Sequence, residues 1–356
     1  RKTVAQHETD TMSEYQYYEF QTVDRALTAQ EQAAVAKLSS RVDLSPHRAV
    51  FTYSYGDFRG DPVKLLARYF DAMLYLANWG SRWLYFRFPR KLVAPEKLAP
   101  YRVDDFIATS SSADHVVLGI RFDEEGGLGW IEGEGDLSPL LPLRQQILEG
   151  DYRVLYLAWL QATRFTDADE EERVEPPVPP GLRALSKPLK AFVEFFGIDA
   201  DLLATAAKAS GDAAPEPDLE SWLRFLSEGE RLECLRSMLH GDPGASAQLR
   251  LRLRNLANQQ RPSVPAEKPA SRRRVSDLLQ SAKAAANERA QQATHAQAEA
   301  RRRKLEGLDQ SETRLWAQAS ALITRKQIKT YDEAVGILKD LRELAEHRGQ
   351  LNGFAA

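Results

Sequence analysis

The sequence predicts an α+β N-terminal domain with a mixed or antiparallel sheet, followed by an all-α middle region and a helical, coiled-coil-like C-terminal region. Three observations favour this order. Short aromatic runs with the alternating polarity of strands lie between residues 15 and 132. From residue 139 onward, apolar residues recur instead at the three- and four-residue spacing of helices. Residues 275–305 are rich in Ala, Gln, Glu and Arg, which are strong helix formers.

The N-terminal domain is predicted to span residues 12–135 and to alternate strands with helices. A capping box, Thr28 with Glu31, begins the first helix. Asp61 caps the second helix, which we expect to continue to Gly80. The resulting β-α-β-α-β-β-β order predicts helices on one face of the sheet and allows a ferredoxin-like start. The strands are expected over residues 15–24, 49–55, 83–88, 115–122 and 128–132.

A helical domain is predicted over residues 138–260. Ser227 with Glu230 forms a second capping box. Residues 249–256 (LRLRLRNL) alternate like a strand but lie among helices, so both interpretations stay open. The acidic, proline-rich stretch 167–180 is too charged and too rigid to fold by itself, which predicts a linker or an exposed loop. The helices are expected over residues 140–165, 182–196, 200–209 and 219–239.

Residues 273–356 are predicted to form a long basic helix and a helical hairpin. A proline-containing linker at 261–272 separates them from the helical domain. The long helix covers 275–305, and its apolar stripe consists mostly of alanines. Such a stripe buries little area, so we expect this helix to pair with another element or to fray.

The hairpin is predicted from two apolar helical patterns over 309–323 and 330–344. Thr330 with Glu333 is expected to cap its second helix. Residues 1–11 are predicted to be a disordered extension, and we expect the natural chain to continue beyond residue 356.

The composition excludes a membrane-spanning protein and a disulfide framework. No apolar run approaches the roughly 18 residues that a transmembrane helix needs. Cys234 is the only cysteine, which rules out an intramolecular disulfide and a Cys-based zinc cluster within one chain and favours a reducing cytoplasm. Because Cys234 lies between Leu232 and Leu235, it is predicted to be a buried, unreactive thiol rather than a nucleophile.

Two segments resemble known bacterial proteins. Residues 15–90 contain YQYYEFQ, DR, LT, YGDFRGDP and ANWG in this order and resemble the opening of a widespread group of uncharacterised bacterial proteins. Residues 331–345 (YDEAVGILKDLRELA) are similar to helices of the same group and of proteins associated with bacterial SWIM-type zinc fingers. The SWIM finger itself is absent from this sequence, since it needs paired cysteines and a Cys-His pair. The resemblance implies no activity and points only to a neighbourhood of nucleic-acid-handling proteins.

The loop YSYGDFRGD, residues 53–61, offers the first candidate site. Asp57 and Asp61, together with Asp24, supply oxygen ligands suited to a divalent ion, which would serve a metal-dependent hydrolase or nuclease. In the competing interpretation Asp61 caps the following helix, the glycines make turns, and Asp57 pairs with a nearby arginine. We favour this second interpretation because loop carboxylates cap helices far more often than they bind metals.

Trp83, Tyr85 and Arg87 offer a second candidate, an aromatic platform for nucleic-acid bases. Alternation along a strand places these three on one face and larger apolar residues on the other. Aromatic side chains exposed on a sheet stack against bases in single-strand binders. The competing interpretation is packing against the preceding helix. Because the other face makes the better core, we expect the platform to be partly exposed.

The strongest signal in the sequence is electrostatic. Between Arg250 and Lys304 the chain carries 14 Lys or Arg and 4 Asp or Glu, a local excess of +10 in a protein of net charge −3. Such a segment is suited to neutralising phosphates without sequence preference. The competing interpretations are a solvated coiled-coil face and a basic arm docked on the protein's own acidic loops. The candidate nucleic-acid contacts are Arg250, Arg252, Arg254, Arg272, Arg273, Arg274, Arg301, Arg302, Arg303 and Lys304.

These features together predict an interaction protein rather than an enzyme. The sequence carries no catalytic motif, phosphate-binding loop or metal-ligand spacing, and no cofactor is expected. We therefore predict a non-enzymatic bacterial scaffold protein of the cytoplasm that binds protein partners and, through the basic segment, DNA or RNA, but no membrane. The alternatives are a metal-dependent hydrolase or nuclease using Asp57 and Asp61, and a structural subunit of a larger bacterial assembly.

Overall fold

The computed structural model describes residues 14–54, 56–123, 135–165, 173–213, 218–242, 244–260, 272–325 and 327–349. By its internal contacts the chain divides into two compact units, residues 1–282 and 283–356. Strands come first and helices follow, which confirms the predicted mixture of α and β structure. The extension at 1–11, the strand expected at 128–132 and the linker up to residue 271 lie outside the described residues.

An antiparallel sheet organises the first unit. In the described part of the chain it has seven strands in the order β2-β3-β1-β4-β5-β7-β6, and each neighbouring pair is antiparallel. The strands are β1 (Gln16–Gln21), β2 (Asp43–Leu44), β3 (Arg48–Tyr53), β4 (Ala72–Ala77), β5 (Arg82–Pro89), β6 (Ile107–Ser111) and β7 (His115–Phe122).

The position of β1 decides the topology. β1 pairs with β3 on one side and with β4 on the other, and Tyr18 lies opposite Phe51 of β3. The first helix joins β1 to β2, and β2 pairs with β3 rather than with β1. Because both pairs are antiparallel, β1 and β2 run parallel to each other with β3 between them. A ferredoxin-like start requires these two strands to be parallel, with a third strand between them. The order β2-β3-β1-β4, with the first helix between β1 and β2 and the second between β3 and β4, therefore agrees with the ferredoxin-like start, and the sheet is the antiparallel alternative.

Residues 72–77 form strand β4 instead of continuing a helix to Gly80. α2 (Pro62–Tyr69) begins with Asp61 as its N-cap, as predicted, and ends where Phe70 adopts an extended conformation. All six residues of β4 are buried. Because both faces of this central strand are covered, its sequence (AMLYLA) lacks the polar alternation that marks a half-exposed strand.

Two hydrophobic clusters cover opposite faces of the sheet. The larger cluster joins the sheet to the helices that follow it and includes Leu74, Trp159 and Phe192. The smaller cluster includes Phe20 and lies against α2 and α1 (Ala29–Ala36). The two helices of the N-terminal domain therefore lie on one face, as predicted, and the helices of the middle region cover the other face. The sheet and the helical middle share one core rather than forming separate cores.

The helical middle consists of short helices that pack on the larger cluster. The helix expected over 140–165 is divided in two by a turn at Gly150, whose φ of 85° suits glycine. Residues 249–256 are helical, which settles the alternative left open by their sequence. The helices of this region are α3 (Pro95–Leu98), α4 (Pro142–Leu148), α5 (Arg153–Ala162), α6 (Lys187–Phe196), α7 (Ala200–Lys208), α8 (Leu219–Trp222), α9 (Glu228–Leu239) and α10 (Ala245–Gln260).

The C-terminal region contains two helices, α11 (Val275–Thr324) and α12 (Ile328–His347). α11 is continuous, although a new helix was expected to begin near residue 309. The N-cap of α12 is Gln327 rather than Thr330, whose hydroxyl donates a hydrogen bond to the Gln327 carbonyl at 2.8 Å. Residues 287–304 of α11 are exposed at every position.

Candidate interaction surface

The two loop aspartates have structural partners. Asp61 accepts a hydrogen bond from the Val63 amide at 2.9 Å, as an N-cap does. Asp57 accepts a hydrogen bond from the Gln16 side-chain amide at 2.9 Å. Asp24 forms an ion pair with an arginine of α4 at 2.7 Å. The described residues contain no group of three or more His, Cys, Asp or Glu side chains placed to hold a metal ion. These contacts support the structural interpretation of the loop.

The aromatic platform is built as expected, but its side chains are engaged within the sheet. Trp83, Tyr85 and Arg87 are all partly exposed on one face of β5. The Trp83 indole donates a hydrogen bond to a carboxylate just beyond β7 at 2.8 Å. Arg87 forms an ion pair with the buried Asp71 at 2.8 Å. The Tyr85 ring lies across Gly119 of β7, where a Cβ atom would overlap it. The three side chains therefore contribute to the packing of the sheet.

Three arginines of the basic segment join elements of the first unit. Each forms an ion pair with a glutamate that is distant in the sequence, so each holds two elements together. This arrangement agrees with the predicted alternative in which the basic segment docks on the protein's own carboxylates. The pairs are Arg254–Glu149, Arg252–Glu230 at 2.7 Å and Arg273–Glu175 at 2.8 Å.

Glu175 fastens the beginning of α11 to the first unit. Its residue is only 2% exposed, and its carboxylate accepts hydrogen bonds from Arg273 and from the Tyr156 hydroxyl. Burial, together with the neighbouring Glu175 charge, raises the pKa of Tyr156. The Val275 amide donates to the Arg173 carbonyl at 2.9 Å. Residues 173–175 are therefore docked against the start of α11 and are not a free linker.

The basic cluster of α11 is also paired, but in exposed positions. Exposed ion pairs are worth about 0–1 kcal/mol and exchange partners readily. Within the described part of the chain, Arg250 and Arg272 are exposed and form no ion pair. The backbone of Arg274 forms an isolated antiparallel β-bridge with Val174. The pairs of the cluster are Arg301–Glu343 at 3.0 Å, Arg302–Glu306 at 3.3 Å, Arg303–Glu299 at 3.8 Å and Lys304–Asp340 at 2.7 Å.

Helix α9 turns its polar side toward the protein and its apolar side toward solvent. Glu230, Cys234 and Ser237 follow one another at spacings of four and three, and they are the positions of α9 that are not exposed. A surface helix normally buries its apolar side instead. The opposite side of α9 carries Leu232, Leu235, Met238 and Leu239, which are 48%, 63%, 44% and 84% exposed. We call these four residues the α9 apolar stripe.

Contacts with α10 set the orientation of α9. One oxygen of Glu230 pairs with Arg252 of α10 at 2.7 Å, and the other accepts a hydrogen bond from the Ser227 amide at 2.8 Å in the capping box. The hydrogen bonds from Ser227, and then that from Arg252, lower the pKa of the Glu230 carboxyl to about 2. Glu230 is therefore charged at neutral pH and holds the polar side of α9 on α10. Arg252, a predicted phosphate contact, serves here to orient a helix.

The spacing of the four residues in the α9 apolar stripe is visible in the sequence, but the direction in which the stripe faces is not. The capping box and the leucine spacing predict an amphipathic helix, and the usual expectation is that its apolar side is buried. The signal in favour of the opposite orientation is that the other side, formed by Glu230, Cys234 and Ser237, has no large apolar residue to bury. Cys234 is partly exposed in this orientation, so its predicted burial is wrong.

Two more apolar residues are exposed just before α9. Leu223 and Phe225 lie in the helical turn that follows α8 and are 41% and 43% exposed. Arg224 lies over the Phe225 ring, with its guanidinium carbon 4.9 Å from the ring centroid. The segment 219–239 is therefore the part of the first unit where large apolar side chains face solvent most densely among the described residues.

Comparisons with known proteins leave the family open. No protein-family model matches the chain, and searches of curated proteins and of solved structures gave no match. Among the described residues no helix is both long enough and apolar enough to cross a bilayer.

Proposed function

We propose that this chain is a non-enzymatic interaction protein that binds a protein partner through the α9 apolar stripe. The observation that supports the proposal is the inverted orientation of α9, which exposes four large apolar side chains while Glu230 is paired with Arg252 beneath them. Contiguous apolar patches of this kind on a protein surface are typical of interaction sites. A role as a subunit of a larger assembly would use the same surface, and the single cysteine favours a reducing cytoplasm as its compartment.

The free energy gained by covering the α9 apolar stripe sets how tightly the stripe alone can bind a partner. Full burial of one Leu or Met side chain contributes about 1.5–3 kcal/mol, so covering the exposed fractions of these four would contribute about 4–7 kcal/mol. Association also has an entropic cost of roughly 4–15 kcal/mol. The stripe alone therefore supports only weak binding. A stable partner has to contact its surroundings as well.

The proposal is tested by recovering partners from the cells that make the protein. The tagged chain is compared with a Leu235→Glu/Leu239→Glu variant, which should keep the fold because both positions are exposed. Val23→Glu is the matched control, because Val23 is 50% exposed and lies far from α9 in the sequence. Quantitative mass spectrometry should show proteins that are retained by the unchanged chain and by the control but lost by the double variant. Identical recoveries with all three chains would contradict the proposal.

Association with nucleic acid is a second candidate, supported by the exposure of the α11 basic cluster. Arg302 and Arg303 are 71% and 77% exposed, and their partners lie on the same helix, so phosphates can displace those partners at little cost. A gel-shift titration at low salt should show DNA or RNA binding that Arg302→Glu/Arg303→Glu abolishes. Absence of binding to either nucleic acid at low salt would remove this candidate.

A further inference from the structure

The charges that border the α9 apolar stripe specify the chemistry of its partner. Arg231 precedes Met238 by seven residues and therefore lies on the same edge of the stripe as Met238. Arg236 follows Leu232 by four residues and lies on the opposite edge. The stripe is thus bordered by an arginine on each side.

Both arginines are exposed and available to a partner. The Arg231 guanidinium donates one hydrogen bond, from Nε to the Leu226 carbonyl at 3.0 Å. Neither Arg231 nor Arg236 forms an ion pair with a carboxylate in the part of the chain that the structure describes. Of the carboxylates nearby, Glu230 is committed to Arg252, and Glu228 and Asp242 stand at the two ends of the stripe rather than along its edges. Glu233 is exposed and lies three residues before Arg236, on the side of Arg236 away from the stripe, and forms no ion pair with it in the described part of the chain.

A second copy of this chain is a poor occupant of the stripe. When two helices pack along apolar stripes, the residues that border one stripe meet those that border the other, and their charges determine which partners pair. Both borders of the α9 stripe are arginine, so two copies would bring arginine against arginine in a parallel and in an antiparallel arrangement alike. Like charges facing each other select against such a pairing.

A membrane surface is also a poor occupant. Helices that lie in a membrane interface have a solvated polar face rich in Lys and Arg. The polar side of α9 is instead packed on α10 through Glu230, and α9 carries three glutamates against two arginines. Attraction to anionic lipids is therefore weak.

We infer that the α9 apolar stripe binds an amphipathic helix of another protein, whose apolar side is bordered by carboxylates that pair with Arg231 and Arg236. This inference rests on the proposed function and names the class of partner. A helix fits the site because the stripe runs along two to three turns of α9, the geometry in which side-chain ridges of one helix fill the grooves of another. Carboxylates along both edges add the contacts that the apolar side chains need to give stable binding.

The test uses two fluorescent helical peptides and the full chain. The peptides share one leucine stripe, bordered by glutamates in the first and by lysines in the second, and binding is measured by fluorescence anisotropy. We expect the glutamate peptide to bind about tenfold more tightly than the lysine peptide, with the difference shrinking at high salt. Leu235→Glu/Leu239→Glu should abolish binding of both. Arg231→Glu/Arg236→Glu should reverse the preference and is the second variant, since it keeps the apolar stripe.

The outcomes separate the partner class from the proposed function. Equal affinity for the two peptides, an unchanged preference after the arginine reversal, or binding of neither peptide would overturn the acidic-helix partner. The proposed function would then still be judged by the capture experiment, which uses no peptide. Concentration-dependent dimerisation in light scattering that Leu235→Glu/Leu239→Glu removes would instead make a second copy the occupant. Stripe-dependent binding to phosphatidylcholine vesicles containing phosphatidylserine would make a membrane the occupant. Either result overturns the inference.

Discussion

Buried carboxylates tie separate parts of the first unit together, and Glu19 shows how one residue does so. It is fully buried in the middle of β1. Its carboxylate accepts hydrogen bonds from the Tyr17 hydroxyl at 2.9 Å, from Arg48 of β3 at 2.7 Å and from the Leu137 amide at 2.9 Å. A buried charge with several donors is costly to leave without them. Glu19 thereby fixes the segment before α4 to the sheet.

Replacing Glu19 by Gln should lower the free energy of unfolding by about 2–4 kcal/mol, because the amide loses the charge that Arg48 needs and turns an N–H group toward existing donors. Asp43→Asn is the matched control, since Asp43 also pairs with Arg48, at 3.3 Å, but its side chain is 79% exposed. The control should change the free energy by less than about 0.5 kcal/mol. Urea unfolding of both variants checks the prediction, and equal effects would contradict it.

Asp71 should make the stability of the first unit depend on acid pH. Burial raises its pKa, but the charges of Arg144 and Arg87 outweigh burial and hold the pKa below its ordinary value of 3.8. A carboxyl whose pKa is lowered by folding stabilises the protein fully above the ordinary value and loses that contribution as pH falls below it. Asp71→Asn should therefore be less stable at pH 7 and lose less stability between about pH 5 and pH 2. The measurement is the free energy of unfolding of both chains at several pH values. A difference between them that is the same at every pH would count against this prediction.

Local sequence signals predicted the residue-scale features because those features depend only on near neighbours. The Thr28–Glu31 and Ser227–Glu230 capping boxes and the Asp61 cap are all confirmed. The partners of Glu19 and Asp71 lie up to 118 residues away in the sequence, so no local pattern indicates them.

At the scale of elements, burial decided which predictions failed. The sequence predicts helix at β4 because every residue of this strand is buried, which removes the alternation that identifies a strand. The α9 apolar stripe was visible in the sequence, but the side of α9 that packs on α10 is set by a long-range pair, Glu230 with Arg252. The sequence thus predicts the helix and its capping box, but not that the leucines of α9 face solvent.

The two ends of α11 should differ in local stability. Val275, Leu278 and Ala282 are buried in the larger cluster, whereas residues 287–304 are exposed throughout. Amide hydrogen exchange should therefore be slow over 275–282 and much faster over 287–304, because a solvated Ala-rich helix opens readily.

Glu175→Gln tests what anchors the slow part of α11. Loss of the charge that pairs with Arg273 should speed exchange over 275–282 by about 30-fold or more, and leave 287–304 unchanged. Glu299→Gln is the matched control, because Glu299 pairs with Arg303 at 3.8 Å in an exposed position of the same helix. It should leave exchange over 275–282 as it is. Uniform acceleration along α11 with either variant would contradict the anchoring role.

At the scale of the whole molecule, the first unit should need the beginning of α11 but not the rest of it. The last member of the larger cluster is Ala282, which is also the last residue of the first compact unit. A chain ending at Ala282 should therefore unfold with nearly the same free energy as the first unit of the full chain. A chain ending at Arg272 loses Arg273, Val275 and Leu278 together and leaves Glu175 buried without its cation.

The shorter truncation should cost on the order of 10 kcal/mol, from lost burial of the apolar side chains and from the uncompensated charge. That loss is comparable with the whole stability of a typical domain, so the chain that ends at Arg272 should be largely unfolded at room temperature. Adding Glu175→Gln to the chain that ends at Arg272 should recover part of the loss, because it removes the unpaired charge while the apolar residues stay missing. Circular dichroism during urea unfolding measures all three chains. If the chain ending at Arg272 were as stable as the chain ending at Ala282, the start of α11 would not be part of the core, and the basic segment would be free to act as an independent arm.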